Sequence, residues 1–240
     1  MKIDIDNYSL AKLPDVSLIL SPTGYVRFFT EDVVSDRKKT FIYCPDSYNP
    51  SKMEFSVVEA DGFEKGFGIV ANSEKVNIMY LVSVLNSYIS WAFMTEGKVE
   101  EKTSVTLKKL GNIAVRILPS TIQKQVACLH FLLSDIRQQK EDGIDNSILD
   151  YWQNVYKEVL NAISLELVIP QLFKEYEISI LESWCDIIDQ CSIRKTGINL
   201  DELKTILGEE LIKPQNQLIG NMRKLRIVLN TLTERAKEEV

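Results

Sequence analysis

The sequence changes character at Pro119, and this change limits the folds that the chain can adopt. Before Pro119, short apolar runs alternate with turn-forming Gly, Pro, Asn and Asp residues, which is typical of β-strands. After Pro119, apolar residues recur at intervals of three and four over long stretches, which is typical of helices. We therefore predict an α+β fold, in which a β-rich domain with one main helix spans residues 1–119 and an all-helical domain spans residues 120–240.

The strands predicted in the first domain are short, at residues 16–20, 25–29, 40–44, 55–59, 67–71, 104–107 and 113–118, with a turn at 108–112. The main helix is predicted over residues 78–94, the longest uncharged run of the chain. This run is slightly shorter than the roughly 20 apolar residues of a membrane span, and its Ser and Asn side chains recur at helical spacing. We therefore expect a helix buried in the domain and no membrane partner.

Capping residues divide the second domain into predicted helices over residues 122–140, 146–167, 170–191 and 200–207, followed by a last helix from Pro214. Ser120, Asn146 and Asn199 are the predicted N-caps. In the last helix, apolar side chains alternate spacings of four and three and form a heptad seam of Leu218, Met222, Leu225, Leu229, Leu232 and Ala236. Two interpretations stay open: the helix packs against its own domain, or the seam pairs with another chain.

The residue types that catalysis needs are not clustered in the sequence. The one histidine, His130, lies among apolar neighbours, and the four cysteines (Cys44, Cys128, Cys185 and Cys191) lack the spacing of a zinc site, so we expect packing positions and buried thiols. No glycine-rich phosphate loop and no Asn/Asp-Pro-Pro-aromatic motif of amino-methyltransferases occurs. We therefore predict no enzyme activity, no cofactor and no metal. The N-terminus lacks the features of a signal peptide, and we expect a cytoplasmic protein.

Charge favours the first half of the chain as the part that touches nucleic acid. The net charge of −6 excludes a strongly basic coat. However, residues 1–120 carry 14 basic and 15 acidic side chains, whereas residues 121–240 carry 14 and 19. Basic clusters in the first half, at Arg37-Lys38-Lys39 and at Lys108-Lys109, fall on predicted loops, where phosphate contacts are made. The alternative is that these loops are solvated and only balance nearby acids such as Asp36.

A series of short motifs follows the strand at Val70. A helix ends in Leu85-Asn86-Ser87, Leu110 and Ile113 precede a strand, and Pro119 and Gln123 open a long helix. This order resembles the target-recognition domain of type I restriction–modification specificity subunits, and also the C-terminal specificity domain of adenine-N6 DNA methyltransferases. The resemblance is clearest over residues 70–137. It implies a β-rich unit whose loops enter the DNA major groove, and a long helix that acts as a spacer.

We therefore predict a non-enzymatic, half-subunit type of DNA-binding specificity subunit that recognises a DNA sequence through its first domain. The expected partners are double-stranded DNA, a DNA methylase (modification) subunit of a restriction–modification system, and a second copy of the chain through a coiled coil of the C-terminal helices. The candidate DNA contacts are Tyr25, Arg27, Arg37, Lys38, Lys39, Lys65, Lys108 and Lys109. The alternative is a protein-interaction or oligomerisation module that does not bind DNA.

Overall fold

The computed structural model describes residues 2–21, 39–49, 55–60, 63, 65–96, 103–144, 146–190 and 199–238. The chain forms two compact units, one of residues 8–130 and one of residues 131–240 together with residues 1–7. A small antiparallel sheet in the first unit and long helices in the second confirm the predicted α+β class. The predicted domain limit at residue 119 stays a prediction.

The first unit is built on a four-stranded antiparallel sheet with the strand order β2-β6-β3-β5. Two further strand pairs, β1-β8 and β4-β7, are also antiparallel. The strands are β1 (Leu10–Lys12), β2 (Ser17–Leu20), β3 (Lys39–Cys44), β4 (Ser47–Tyr48), β5 (Ser56–Ala60), β6 (Phe67–Ala71), β7 (Thr103–Ser104) and β8 (Ala114–Arg116). Ile42 and Ile69, which pair across β3 and β6, are buried, and so is Phe41 on the opposite face of β3. The strand predicted over residues 25–29 lies outside the described residues.

The helices of the first unit are α1 (Leu13–Val16), α2 (Ile78–Leu85), α3 (Tyr88–Thr95) and α4 (Leu107–Gly111). The prediction of one helix over residues 78–94 is wrong, because the chain bends by 63° between α2 and α3. At the bend, the Asn86 side chain binds the backbone of Phe55, and Ser87 caps α3 by accepting the Ser90 N–H. The strand predicted to reach residue 107 ends at Ser104, and the turn predicted at residues 108–112 is mostly the helix α4, capped by Thr106.

The helices that follow are α5 (Ser120–Glu141), α6 (Asn146–Val168), α7 (Pro170–Glu175), α8 (Ile180–Ile188), α9 (Leu200–Leu211) and α10 (Gln217–Glu238). The prediction of one helix over residues 170–191 is wrong, because the chain leaves the helix after α7 and Glu177 adopts a left-handed backbone with φ 49°. Asn199 caps α9 as predicted, by accepting the N–H groups of Asp201 and Glu202. The last helix begins after Asn216, not at Pro214.

The core of the second unit is apolar, with Ile163, Phe173, Trp184, Leu207 and Leu218 buried. Residues 5–7 form a short 3-10 helix. Two ion pairs join this segment to α7, in which Lys174 Nζ lies 2.8 Å from Asp4 and 2.6 Å from Asp6. Within the described residues, no single helix has the length and apolar character to cross a membrane, and α2 and α3 reach that length only together, as a bent pair.

Candidate nucleic-acid interface

Asp46 joins three segments of the first unit at one end of the sheet. It follows β3, and its Oδ1 accepts a hydrogen bond from the Gly66 N–H at 2.7 Å, just before β6. Its backbone carbonyl accepts the Val105 N–H at 2.8 Å, between β7 and α4. Gly66 has φ +82°, and a Cβ there would lie 2.2 Å from the Cys44 carbonyl oxygen, so the close approach of these segments requires glycine.

Three of the predicted DNA-contacting cations belong to these segments. Lys65 precedes Gly66 and is exposed, and Lys108 is exposed on α4. Lys109, one residue further, is half-buried and its Nζ donates to the Ser104 carbonyl at 2.9 Å. The structure therefore brings Lys65, Lys108 and Lys109 to one end of the unit around Asp46. We call these cations, with Asp46, Gly66 and Ser104, the Asp46 group.

The other predicted contacts do not join this group. Lys39 is the first residue of β3 and pairs with Ala60, whereas Asp46 follows the last residue of that strand. The five residue steps from Lys39 to Cys44 place the backbones of these two residues about 17 Å apart, at about 3.3 Å per residue. The remaining predicted residues, Tyr25, Arg27, Arg37 and Lys38, lie outside the described residues.

The Asp46 group contains lysines and one carboxylate, and the Asp46 carboxylate accepts a hydrogen bond from the backbone N–H of Gly66. Partial burial, and then the nearby Asp46 charge, raise the pKa of the Tyr43 phenol above its usual value. Tyr43 therefore stays neutral around neutral pH, and its ring packs edge-on to Phe63 with centroids 6.1 Å apart. In the sequence, Asp46 shows only its place shortly after the strand predicted at residues 40–44. Its link to Gly66 and Val105 is a long-range contact that no local pattern signals.

Two buried amides brace the first unit, Asn86 near the Cys44 end of β3 and Gln123 at the opposite end of the sheet, beside the loop beyond Ala71. Asn86 accepts the Phe55 N–H at 3.1 Å and donates to the Phe55 carbonyl at 2.8 Å, as a neighbouring strand would. Gln123 accepts the Asn77 N–H at 2.6 Å and donates to the carbonyls of Lys75 and Leu118. Both residues belong to the motifs on which the resemblance rests, so in this structure these motifs stabilise the scaffold.

A cavity of about 600 Å³ lies between the loop after β6 and the start of α5, within the first unit. Its polar lining is largely engaged in structure: Lys75 Nζ donates to the Asp15 carbonyl, Asn77 caps α2, and Gln123 makes the bonds given above. His130 is half-buried and Cys44, Cys128 and Cys185 are buried, as predicted, while Cys191 lies outside the described residues. Among the residues that the structure describes, no group of His, Cys, Asp and Glu could hold a metal ion.

The predicted heptad seam is divided between the core and the surface of the second unit. Leu218 and Leu225 are buried, because α10 packs against α8, and Met222 is half-buried. Leu232 is half-buried as well, but Leu229 is 37% exposed. The first part of the helix therefore packs against its own unit, and pairing of the seam with another chain stays a prediction.

Comparison with known proteins leaves the family of this chain open. No family model matches the sequence, and no curated protein matches it.

Proposed function

We propose that residues 8–130 bind double-stranded DNA and that the chain is a half-subunit type specificity subunit for a separate DNA methylase in a restriction–modification system. The observation that carries this proposal is the Asp46 group, in which the loop before β6, with Lys65, and the helix α4, with Lys108 and Lys109, are joined at one end of the sheet. Cations on a loop and on a neighbouring short helix of a fixed scaffold suit contact with successive phosphates of a duplex.

The distribution of charge supports the same unit as the DNA-binding part. Residues 8–130 carry 14 basic and 13 acidic side chains, whereas the rest of the chain carries 14 basic and 21 acidic ones. An approaching polyanion is repelled by the second unit and not by the first. The proposal includes no catalytic step by this chain, and methylation or cleavage belongs to the partner.

The scaffold around the Asp46 group also supports a reading role. Base recognition needs side chains held within a fraction of an ångström, and this requires rigid supporting elements. Leu110 anchors α4 in the core, and the bonds of Asn86 to Phe55 fix the start of β5, which lies beside the end of β3 that leads to Asp46. A loop surface on such a support can hold a fixed register on a duplex.

Binding of a mixed-sequence duplex, measured by mobility shift at several salt concentrations, tests the proposal. Each phosphate that the protein neutralises adds about −0.9 to the slope of log affinity against log salt. The double variant Lys65→Glu/Lys108→Glu is expected to weaken binding at least tenfold and to make that slope shallower by about 2. Lys109 is left unchanged, because its bond to Ser104 gives it a structural role as well.

The matched control is Lys12→Glu/Lys124→Glu, which reverses two exposed lysines of the same unit outside the Asp46 group. The control is expected to retain most of the affinity and most of the slope. Absence of salt-dependent binding by the unchanged protein would refute DNA binding, and equal losses in both double variants would refute the assignment to the Asp46 group. Selection from a random duplex pool then tests specificity, and binding without enrichment of any sequence would contradict it.

A protein-interaction module without DNA binding is the second candidate function. The observation that favours it is the exposure of Ile148, Tyr151 and Leu229 on the second unit. Retained self-association without any duplex binding would support this second candidate over the first.

A further inference from the structure

Asp46 uses only one of its two carboxylate oxygens to hold the first unit together. Its Oδ1 accepts the Gly66 N–H at 2.7 Å, and its backbone carbonyl accepts the Val105 N–H at 2.8 Å. Within the part of the chain that the structure describes, Oδ2 has no hydrogen-bond or ion-pair partner, and the side chain is exposed. The amide oxygen of an Asn would accept the bond from Gly66 equally well. The fold therefore does not need the negative charge or the second oxygen.

Asp46 lies between the two segments that carry the exposed lysines of the Asp46 group. The bond from Gly66 joins it to the loop with Lys65, and the bond from Val105 joins it to the segment that leads into α4, with Lys108. Both lysine side chains are exposed. Phosphates line the two sides of a DNA groove, and the base edges lie between them. A residue held between two phosphate-contacting cations is therefore in the position from which a base edge is read.

A carboxylate in this position needs a hydrogen-bond donor on the DNA, because it is repelled by phosphates and can only accept hydrogen bonds. In the major groove, guanine presents two acceptors, thymine presents an acceptor and a methyl group, and adenine presents a donor next to an acceptor. Cytosine presents the N4 amino group as a donor without an acceptor beside it. The edge of cytosine is therefore the best match for the second oxygen of Asp46.

We propose that Asp46 is a specificity-determining residue, which selects cytosine at one position of the DNA sequence by accepting a hydrogen bond from the N4 amino group. This inference rests on the proposed function, because it requires that the first unit binds double-stranded DNA through the Asp46 group. Lys65 and Lys108 then supply affinity irrespective of sequence, whereas Asp46 supplies the discrimination between bases. The bonds from Gly66 and Val105 fix both the side chain and the backbone of Asp46, as base recognition requires.

Selection of bound sequences from a random duplex pool by the full chain measures this preference. The unchanged protein is expected to favour cytosine over guanine at one position by at least about tenfold, a usual effect of one wrong base pair. In Asp46→Asn, the amide oxygen keeps the bond from Gly66, and an amino group takes the place of the second oxygen. The preference at that position is therefore expected to change from cytosine to guanine, whose edge presents acceptors, while preferences at the other positions stay the same.

The matched control is Glu74→Gln, which removes the same charge from an exposed side chain at the opposite end of the sheet, in the loop after β6. It should leave every base preference unchanged. A second measurement uses the unchanged protein and so does not depend on the folding of a variant. A duplex with N4-methylcytosine at the selected position carries a methyl group in place of the hydrogen that Asp46 would accept. The affinity is expected to fall at least about tenfold relative to the same duplex with cytosine.

The possible results separate this inference from the proposed function. Four results would overturn the role of Asp46 and leave DNA binding in place: salt-dependent binding without a cytosine preference, a cytosine preference that persists in Asp46→Asn, an equal change in Glu74→Gln, or equal affinity for the methylated duplex. Absence of duplex binding by the unchanged protein would refute both proposals. A change from cytosine to guanine at one position in Asp46→Asn, together with weaker binding of the methylated duplex, would support Asp46 as the residue that reads this base.

Discussion

The burial of Glu166 leads us to expect that the free energy of unfolding falls as the pH rises from mildly acidic to neutral. Its carboxylate is buried in the second unit, where Oε2 accepts the Leu181 N–H at 2.7 Å at the start of α8. Burial raises the pKa of Glu166 from 4.5 to about 7, against the opposing effect of backbone hydrogen bonds from Leu181 and Ile180. Between these two pH values the folded chain keeps a proton that the unfolded chain has released. The free energy of unfolding must therefore decrease across this window.

The magnitude follows from the difference between the two pKa values. One pKa unit corresponds to about 1.4 kcal/mol, so Glu166 is expected to lower the free energy of unfolding by about 3 kcal/mol between pH 4.5 and pH 7. Below this window its contribution is constant, because both states are protonated, and above it both are ionised. Asp4 does not change the free energy of unfolding in this window, because its hydrogen bond with Lys174 lowers its pKa below the ordinary value of 3.8.

Urea unfolding at several pH values, followed by tryptophan fluorescence, measures this effect, because Trp184 in α8 is fully buried in the folded chain. Glu166→Gln keeps an acceptor for the Leu181 N–H and removes the titration, so its stability should be nearly flat between pH 4.5 and pH 7. Glu182→Gln is the matched control, since Glu182 adds only a minor charge effect and burial is the main cause of the shift. A stability that rises with pH in this window, or an unchanged slope in Glu166→Gln, would refute the reasoning.

Two further predictions concern the scaffold of the first unit and use thermal and urea unfolding as the measurement. Gly66→Ala is expected to destabilise the chain by about 3 kcal/mol, because a left-handed residue is strained and its Cβ would meet the Cys44 carbonyl. Gly143→Ala, at the similar φ of +81° but with open space around the added Cβ, is the control and should cost only about 1 kcal/mol; equal effects would contradict the close contact. Gln123→Ala removes three hydrogen bonds and Asn86→Ala removes two. The free energy of unfolding is therefore expected to fall by about 3 kcal/mol in the first variant and by about 2 kcal/mol in the second. A fall of less than about 0.5 kcal/mol in either variant would contradict a bracing role.

The elements that were predicted correctly from the sequence are those determined by residues close together in the chain. The strands β3, β5 and β6 are short runs of β-branched and aromatic residues between turns, and the cap at Asn199 is a side chain bonding its own helix. Helical periodicity did not locate the bend between α2 and α3, because the run contains no Pro or Gly; only the family resemblance indicated a helix end, at Leu85-Asn86-Ser87. Its stabilising contact, between Asn86 and the Phe55 backbone, joins residues 31 positions apart. The break after α7 likewise occurs at Glu177, a residue type that rarely adopts positive φ.

The residues of the candidate site could also be predicted only in part from the sequence. Lysines could be named from the sequence, but only the long-range bonds that Asp46 accepts, from the N–H groups of Gly66 and Val105, indicate which lysine-bearing segments lie side by side. Asn86 and Gln123, which belong to the motifs behind the family resemblance, make hydrogen bonds that hold the scaffold together. A match at those positions therefore concerns the scaffold and says little about which base the loops would read. Charge reversal at Lys65 and Lys108 is therefore the more direct test of the proposed DNA binding, since both side chains are exposed and neither makes the hydrogen bonds of Asn86 and Gln123 that hold the fold.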